Sequence, residues 1–380
     1  MRIGIDGRAL TGRFTGDRTY WRGLLNALPQ AGDDLEYLVY SRTAIPAGTL
    51  RESSRISARV IPAANERIWT LLALPAALQQ DRADLIHVQY TTPPRMLCPC
   101  PVVTTVHDIS FKLYPQWFPR KDRILLNLTV PASMRQAARV ITDSESSRRD
   151  ILEVYKLPPD KVVAIPLGLP DGYNRAQESD PLVVGDILAK YGITRPFVLA
   201  VGVLQPRKNL KMLCEAFGRA KRKFGLAHGL VIAGKSGWGT EQETLRAAAH
   251  SGGGDAAADA ITFTGYVEDA DLPALYRAAE TFAYPSLYEG FGIPPIEAMA
   301  CGTPVLVSDA PALPEVVGEA AKIVAAEDTE AWSAALGSML SDPVQRAHYA
   351  EAGPPRAACF SWQITAEGTR AVYRNAARSR

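Results

Sequence analysis

Short apolar runs of strand length alternate with stretches of helical spacing along the whole 380-residue chain. This alternation limits the fold more than any single motif. A continuously apolar strand is buried on both faces, which happens when helices cover both sides of a parallel sheet. In the first half the runs predict strands at 2–6 (RIGID), 35–41, 85–90, 101–106, 139–143 and 161–165. In the second half they predict strands at 196–201, 229–233, 261–264, 281–284 and 304–308. Helical spacing fills the gaps, for example at 17–28, 66–80, 209–224, 270–279 and 328–340. The expected class is α/β, with doubly wound, Rossmann-like parallel sheets.

The pattern breaks at 166–186, PLGLPDGYNRAQESDPLVVGD, which is rich in Pro, Gly, Asp and Asn. That composition predicts a linker. It divides the chain into domains at 1–168 and 169–361, with a ligand expected at the C-terminal ends of their strands, in a crevice between them. The run SGGGDAAADA at 251–260 reads as a flexible surface loop.

Several function classes are disfavoured. Net charge is +2, which gives no general case for nucleic acid. Residues 1–170 carry 22 Lys/Arg against 16 Asp/Glu, a net of +6, so the first half alone suits an anionic partner. No apolar run approaches the 18 or so residues of a membrane span, and the N-terminus MRIGIDGRAL reads as a buried strand, not a signal peptide. Five cysteines, an odd number, fit the reduced thiols of a cytoplasmic protein. Cys98-Pro99-Cys100 has no nearby residues to complete a zinc site.

Four segments carry candidate chemistry. In SLYEGFGIPPIEAMACGTP (286–304), Glu289 and Glu297 flank a glycine turn, Gly290-Phe291-Gly292. The turn follows a strand, and Pro294-Pro295 suit the first turn of a helix, with Glu297 in that turn. Carboxylates beside free amides suit a polyhydroxylated ligand; a dipole-complementing Glu297 and a solvated Glu289 are the alternative. In AVGVLQPRKNLKML (200–213), Arg207 and Lys208 precede a helix with Asn209 as its N-cap, an anion site unless both cations are simply solvated. In VVTTVHDIS (102–110), His107 ends a strand and either meets a substrate hydroxyl or packs structurally. In LTGRFTGDRTY (10–20), Gly12 and Gly16 border the first helix, without the spacing of a dinucleotide fingerprint. GLVIAGKS (229–236) matches the letters of a P-loop, but its variable residues are themselves a strand, so that reading is rejected.

Together these segments resemble the retaining GT-B glycosyltransferases, glycosyltransferase family 4, and bacterial mannosyltransferases in particular. The resemblance covers nearly the whole chain. It rests on the E-x7-E pair Glu289/Glu297, with GVLQPRKN, VHD and TDSESSRRDI in the family's order. It implies two Rossmann-like domains, the first completed by a C-terminal helix at about 362–377. It assigns Glu297 to the donor ribose, Glu289 to the transferred sugar and leaving-group side, and the Gly290-Phe291-Gly292 amides to sugar hydroxyls. Arg207 and Lys208 fall on the diphosphate, His107 beside the donor hexose, Gly16 near the diphosphate, and Tyr266 and Val267 by the base. At Gly16 the sequence has TGDRTY in place of the family's frequent TGIGRY.

The implied activity is metal-independent, retaining transfer of a hexose, with no cofactor. The donor would be of the GDP-mannose or UDP-glucose type, and the acceptor a glycan, a lipid-linked glycan or a small molecule. A P-loop nucleotide hydrolase and a non-catalytic nucleotide-sugar binder are the rivals. Asp269 and Asp271 of EDAD (268–271) are expected to face away from the site. Segment 117–140 mixes basic and apolar residues at helical spacing, which suits either peripheral docking on the inner membrane face or a core helix pair broken at Pro131.

Overall fold

The structure, a computed structural model, describes residues 1–12, 15–29, 34–174, 180–237 and 239–378. The chain forms two compact units, Met1–Gly168 with Ser361–Arg380, and Leu169–Phe360.

The first unit is built on seven strands: β1 (Arg2–Asp6), β2 (Glu36–Ser41), β3 (Ile56–Val60), β4 (Leu85–Gln89), β5 (Val102–Thr105), β6 (Arg139–Thr142) and β7 (Val162–Ala164). Their order is β3-β2-β1-β4-β5-β6-β7, all parallel. The central strands are apolar on both faces because helices pack on each side; Ile3, Ile5, Ile86, Val103 and Val140 are fully buried. Strand β3, absent from the sequence expectation, is an edge strand with mostly exposed side chains, so it lacks the apolar run that marks its neighbours.

The C-terminal helix Trp362–Arg378 packs on helix Thr15–Ala27 of this unit. A Cβ at Gly23 would lie 2.0 Å from the Trp362 ring, so only glycine permits that contact. Tyr373 extends the tie into the sheet. Its hydroxyl lies 2.6 Å from His87 Nδ1, His87 Nε2 lies 2.7 Å from Thr105 Oγ1, and Tyr20 OH meets the same oxygen at 2.9 Å. Burial, then the nearby charge of His107, pushes the His87 pKa down to about 3, so it packs as a neutral ring.

Segment 117–140 holds one helix, Arg120–Gln136, and Pro131 lies inside it without breaking it. Its second half is buried at Val130 and Met134, while Ile124, Leu125 and Leu128 are exposed.

The second unit has six parallel strands: β8 (Phe197–Val201), β9 (Gly229–Ala233), β10 (Ile261–Gly265), β11 (Thr281–Tyr284), β12 (Val305–Ser308) and β13 (Lys322–Val324). Their order is β10-β9-β8-β11-β12-β13. The three-residue edge strand β13 was too short to register as an apolar run.

Two expectations need correction here. The 251–260 segment is not a flexible loop: helix Gln242–Gly253 runs into it and Asp255–Ala258 is helical. Its glycines serve close packing. A Cβ at Gly252 would meet Glu215 O at 2.3 Å, and one at Gly253 would meet Gly218 O at 2.3 Å, both on helix Leu210–Phe224. The 166–186 segment is not linker throughout, because helix Pro181–Lys190 begins inside it; its residues 175–179 lie outside the described set. The P-loop letters at 229–236 fall on β9 itself, as expected, and the next helix starts only at Gln242.

Candidate active site

In the second unit β8 and β11 are neighbours, so the loops leaving their C-terminal ends run side by side. Leu287 N donates to Arg207 O at 2.8 Å and fastens one loop to the other. The β8 loop ends in the turn Pro206–Lys208. Arg207 Nη1 donates to Glu289 Oε2 at 2.6 Å and to Tyr288 O at 3.2 Å. Lys208 Nζ donates to Glu289 Oε1 at 2.6 Å and to the Tyr284 hydroxyl at 2.6 Å. That hydroxyl in turn donates to Glu289 Oε1 at 3.0 Å. Neither cation is merely solvated: Lys208 is 9% exposed and the Arg207 side chain 24%.

Burial alone would raise the Glu289 pKa. The adjacent Arg207 and Lys208 overturn it and hold the carboxyl at about 2. Glu289 is therefore a fixed anion between two fixed cations, where the sequence placed the acid and the cations on separate parts of a ligand.

Glu297, the second acid, behaves differently. It is the fifth residue of helix Ile293–Ala300, just past the first turn where it was expected. It is buried, accepts a 2.9 Å hydrogen bond from Tyr276 OH, and is also bonded by Tyr173. Burial pushes its pKa up to about 7 against those hydroxyls, and the charge of Asp269 adds to the rise. Asp269 thus bears on this site, contrary to expectation. Asp271 instead pairs with Lys190 at 2.7 Å and Tyr191 OH at 2.8 Å.

Between the two acids, Gly290 and Phe291 are buried, and the Phe291 ring packs edge-on against Phe360. Gly292 has φ 123°, a conformation that requires glycine, and turns the chain into the helix. Asn209 occupies the cap position of helix Leu210–Phe224 but makes no side-chain cap; at φ 54° it turns its amide to Ala326 O, 2.7 Å away. Tyr266 is exposed and Val267 buried, in the loop after β10.

In the first unit, His107 follows β5 and Asp143 follows β6, and these strands pair. His107 Nδ1 lies 2.7 Å from Asp143 Oδ2, and Nε2 lies 2.8 Å from the Gln89 amide at the end of β4. Burial would push the imidazole pKa down, but Asp143 first, then Asp17 and Asp108, raise it to about 9. Gly16 lies inside the first turn of helix Thr15–Ala27 instead of in the preceding loop. Nothing stands within 4 Å of where its Cβ would be.

The candidate residues thus fall into two constellations, one in each unit. Sequence reasoning missed Asp143, Gln89, Tyr173, Tyr276 and Tyr284. Asp143 lies within the TDSESSRRDI segment, and Tyr284 directly precedes the Pro-Ser of the glutamate loop, but their partners are distant in sequence. Among the described residues no cluster of three or more His, Cys, Asp or Glu side chains is arranged to hold a metal. The second constellation can hold an anion at Arg207 and Lys208 and hydroxyl groups at the two acids. The first can donate a hydrogen bond from a charged ring.

The chain is similar to known proteins. Residues 186–356 match the family model described as glycosyl transferases group 1, and residues 15–171 match glycosyltransferase family 4. The O-antigen chain mannosyltransferase B of Escherichia coli is 35% identical over 274 residues, 72% of this chain and 70% of that protein. A D-inositol 3-phosphate glycosyltransferase of Rhodococcus erythropolis is 32% identical over 92% of this chain and 76% of its own length. The chain spans 28% of the length of the E. coli serotype-specific mannosyltransferase WbdA, at 28% identity. In fold, sucrose-phosphate synthase from Thermosynechococcus elongatus superposes with a TM-score of 0.74 at 22% identity, covering both chains completely.

The raised Glu297 pKa has a measurable consequence. An acid whose folded pKa lies near 7, above its ordinary 4.5, favours the fold fully only below 4.5, and this contribution fades as pH rises through 7. Glu297→Gln should therefore melt higher than wild type at pH 8, by up to about 3 kcal/mol of stability, and within about 1 kcal/mol of it at pH 5. Thermal melts at both pH values test this; a variant equally or less stable at pH 8 contradicts the assignment.

Proposed function

The chain belongs to the glycosyltransferases, with a family 4 segment followed by a group 1 segment, and is a hexosyltransferase using a nucleotide sugar; we propose that it moves mannose, with retention at the anomeric carbon, from a GDP-mannose-type donor to a growing glycan. The observation that carries this reading is the Glu289 clamp. Arg207 and Lys208 are held by one buried carboxylate at the C-terminal end of a parallel sheet, where such folds bind nucleotides. A diphosphate brings the same kind of anionic oxygen that Glu289 supplies, so it can take up N–H groups of both cations. The carboxylate is then left to accept hydroxyls of the transferred sugar.

Transfer breaks the bond between the anomeric carbon and the β-phosphate oxygen and forms the bond to the acceptor oxygen. The acceptor proton leaves with the departing diphosphate. Negative charge grows on that diphosphate as the sugar turns oxocarbenium-like, and two prepositioned cations stabilise it without reorganisation. Glu297 takes the ribose hydroxyls, Gly290, Phe291 and Gly292 offer backbone amides to the sugar, and Tyr266 and Val267 lie by the base. Gly16 lets the diphosphate approach, and His107 attends the donor hexose. The fixed cations meet the charge that a divalent ion would otherwise meet, so the reaction runs without metal. Mannose is favoured over glucose by the relatives whose names record mannosyl transfer; a UDP-glucose-type donor is the alternative.

The acceptor is a glycan, and a lipid-linked one would draw the enzyme to a membrane surface. In support, helix Arg120–Gln136 exposes Ile124, Leu125 and Leu128 beside exposed Arg120 and Lys121, although no helix of the described residues is long and apolar enough to cross a bilayer. Binding to vesicles containing anionic lipid, lost in Leu125→Asp/Leu128→Asp and absent with zwitterionic vesicles, is expected; equal binding by wild type and variant refutes the attachment.

Arg207→Ala should lower kcat about 10²–10³-fold, because one aimed cation is lost where charge develops. Glu289 keeps its Lys208 partner in this variant, so the protein should remain folded. Transfer by the wild type should survive EDTA. The test is product formation from GDP-mannose, UDP-glucose and their neighbours, with the anomeric configuration read by NMR. Near-normal turnover by folded Arg207→Ala, or loss in EDTA that Mg²⁺ restores, overturns this mechanism.

A further inference from the structure

We propose that Asp143 is a positioning residue for the transfer reaction: it holds the His107 ring in one orientation as a doubly protonated imidazolium, whose Nε2–H is offered to a substrate hydroxyl. The substrate in this inference rests on the transferase reading above. The charge on the ring does not, since it is a property of the protein alone.

The geometry comes from the sheet. β5 and β6 pair in register, Thr105 with Ile141, so the residues two positions beyond each partner meet at the strand ends. Asp143 is 3% exposed and its Oδ2 accepts from His107 Nδ1 at 2.7 Å. Its other oxygen, Oδ1, is buried with no hydrogen-bond partner among the described residues. Burial pushes the Asp143 pKa up, and among the described residues the opposing support comes through the His107 ring. A neutral N–H would be a poor partner for a buried anion, whereas a cationic one both bonds it and neutralises it.

The Gln89 amide nitrogen lies 2.8 Å from Nε2; a protonated Nε2 requires that amide turned end for end, so that its oxygen accepts the ring N–H. The ring is flanked by Tyr20, with centroids 4.9 Å apart, and Tyr90, at 5.7 Å, both near edge-on, which fixes its plane.

Among the described residues, the charges that bear on the ring are all carboxylates. Asp17 on helix Thr15–Ala27 lies 3.9 Å from Nε2, Asp108 is the next residue, and Asp143 follows β6. His87 on β4 is held neutral by burial, and Tyr20 and Tyr90 contribute uncharged rings. The rise of the His107 pKa to about 9, against burial, agrees with this placement. A ring that stays charged across neutral pH does not shuttle protons. It serves as a fixed positive donor, and a substrate hydroxyl can take the place of the Gln89 amide on Nε2.

The test is Asp143→Asn, which keeps an acceptor for Nδ1–H and removes the charge. Histidine side-chain NMR without substrate should show wild-type His107 losing its proton near pH 9, and the variant near the ordinary value of about 6.5. At pH 8 the charged fraction then falls about 30-fold, and kcat/KM for transfer should fall by a similar factor, while at pH 6 it stays within about threefold of wild type. A wild-type midpoint at or below about 7 overturns the proposal without recourse to any variant. So does a variant whose loss of activity is the same at pH 6 and pH 8, which marks a purely structural role. A midpoint near 9 in a protein that turns over no sugar nucleotide supports the ion pair and overturns the transferase reading instead.

Discussion

The burial of one carboxylate, Glu289, is the constraint on which the proposed sugar-nucleotide site depends. An ionised acid removed from water needs charged partners, and both of its partners come from a different loop. That pairing is possible only because β8 and β11 are adjacent and parallel, so that loops 80 residues apart in the chain emerge together. Gly292 then turns the backbone at a φ that other residues resist, and starts the helix that carries Glu297. The cations are thereby held in place by the protein before any ligand arrives. In a site of this kind the stabilisation of developing charge requires little reorganisation.

The two glutamates of the E-x7-E pair have opposite electrostatics despite similar burial. Glu289 faces two cations and stays ionised far below neutral pH. Glu297 faces hydroxyls and the charge of Asp269, so it is balanced near neutrality. A residue in that condition is poorly satisfied by the protein and well suited to accept hydroxyls from a ligand. The first unit uses the reverse arrangement, in which carboxylates hold a ring positive at the end of β5. In each unit the functional groups stand just beyond the C-terminal ends of central strands, where the sheet fixes their spacing.

The fold was legible because continuous apolar strands are a strong signal, and eleven of the observed strands lie within or against expected runs. The two that were missed, Ile56–Val60 and Lys322–Val324, are edge strands: one mostly exposed and one only three residues long. The glycine tract at 251–260 misled because composition cannot distinguish a flexible loop from helices packed backbone to backbone. That distinction lies in Glu215 and Gly218, more than 30 residues earlier. Candidate site residues with a recognisable local setting, such as His107, Arg207, Lys208 and both glutamates, could be named from sequence. Asp143, Gln89, Tyr173, Tyr276 and Tyr284 could not, because their roles exist only as contacts. Gly16 and Asn209 were named, but each sits differently from expectation: one inside a helical turn, the other in a left-handed conformation with its amide turned away from the helix.

The central claim is that Arg207 and Lys208, clamped by Glu289, form the diphosphate site. Calorimetric binding of GDP and GMP measures it directly, because the two ligands share base and ribose and differ only in the second phosphate. Wild-type protein should bind GDP at least about tenfold more tightly than GMP, a gap of about 1.4 kcal/mol. In the Arg207→Ala/Lys208→Ala double variant the gap should close, with GMP binding little changed. A gap that persists unchanged in the folded double variant would place the second phosphate elsewhere and contradict the account.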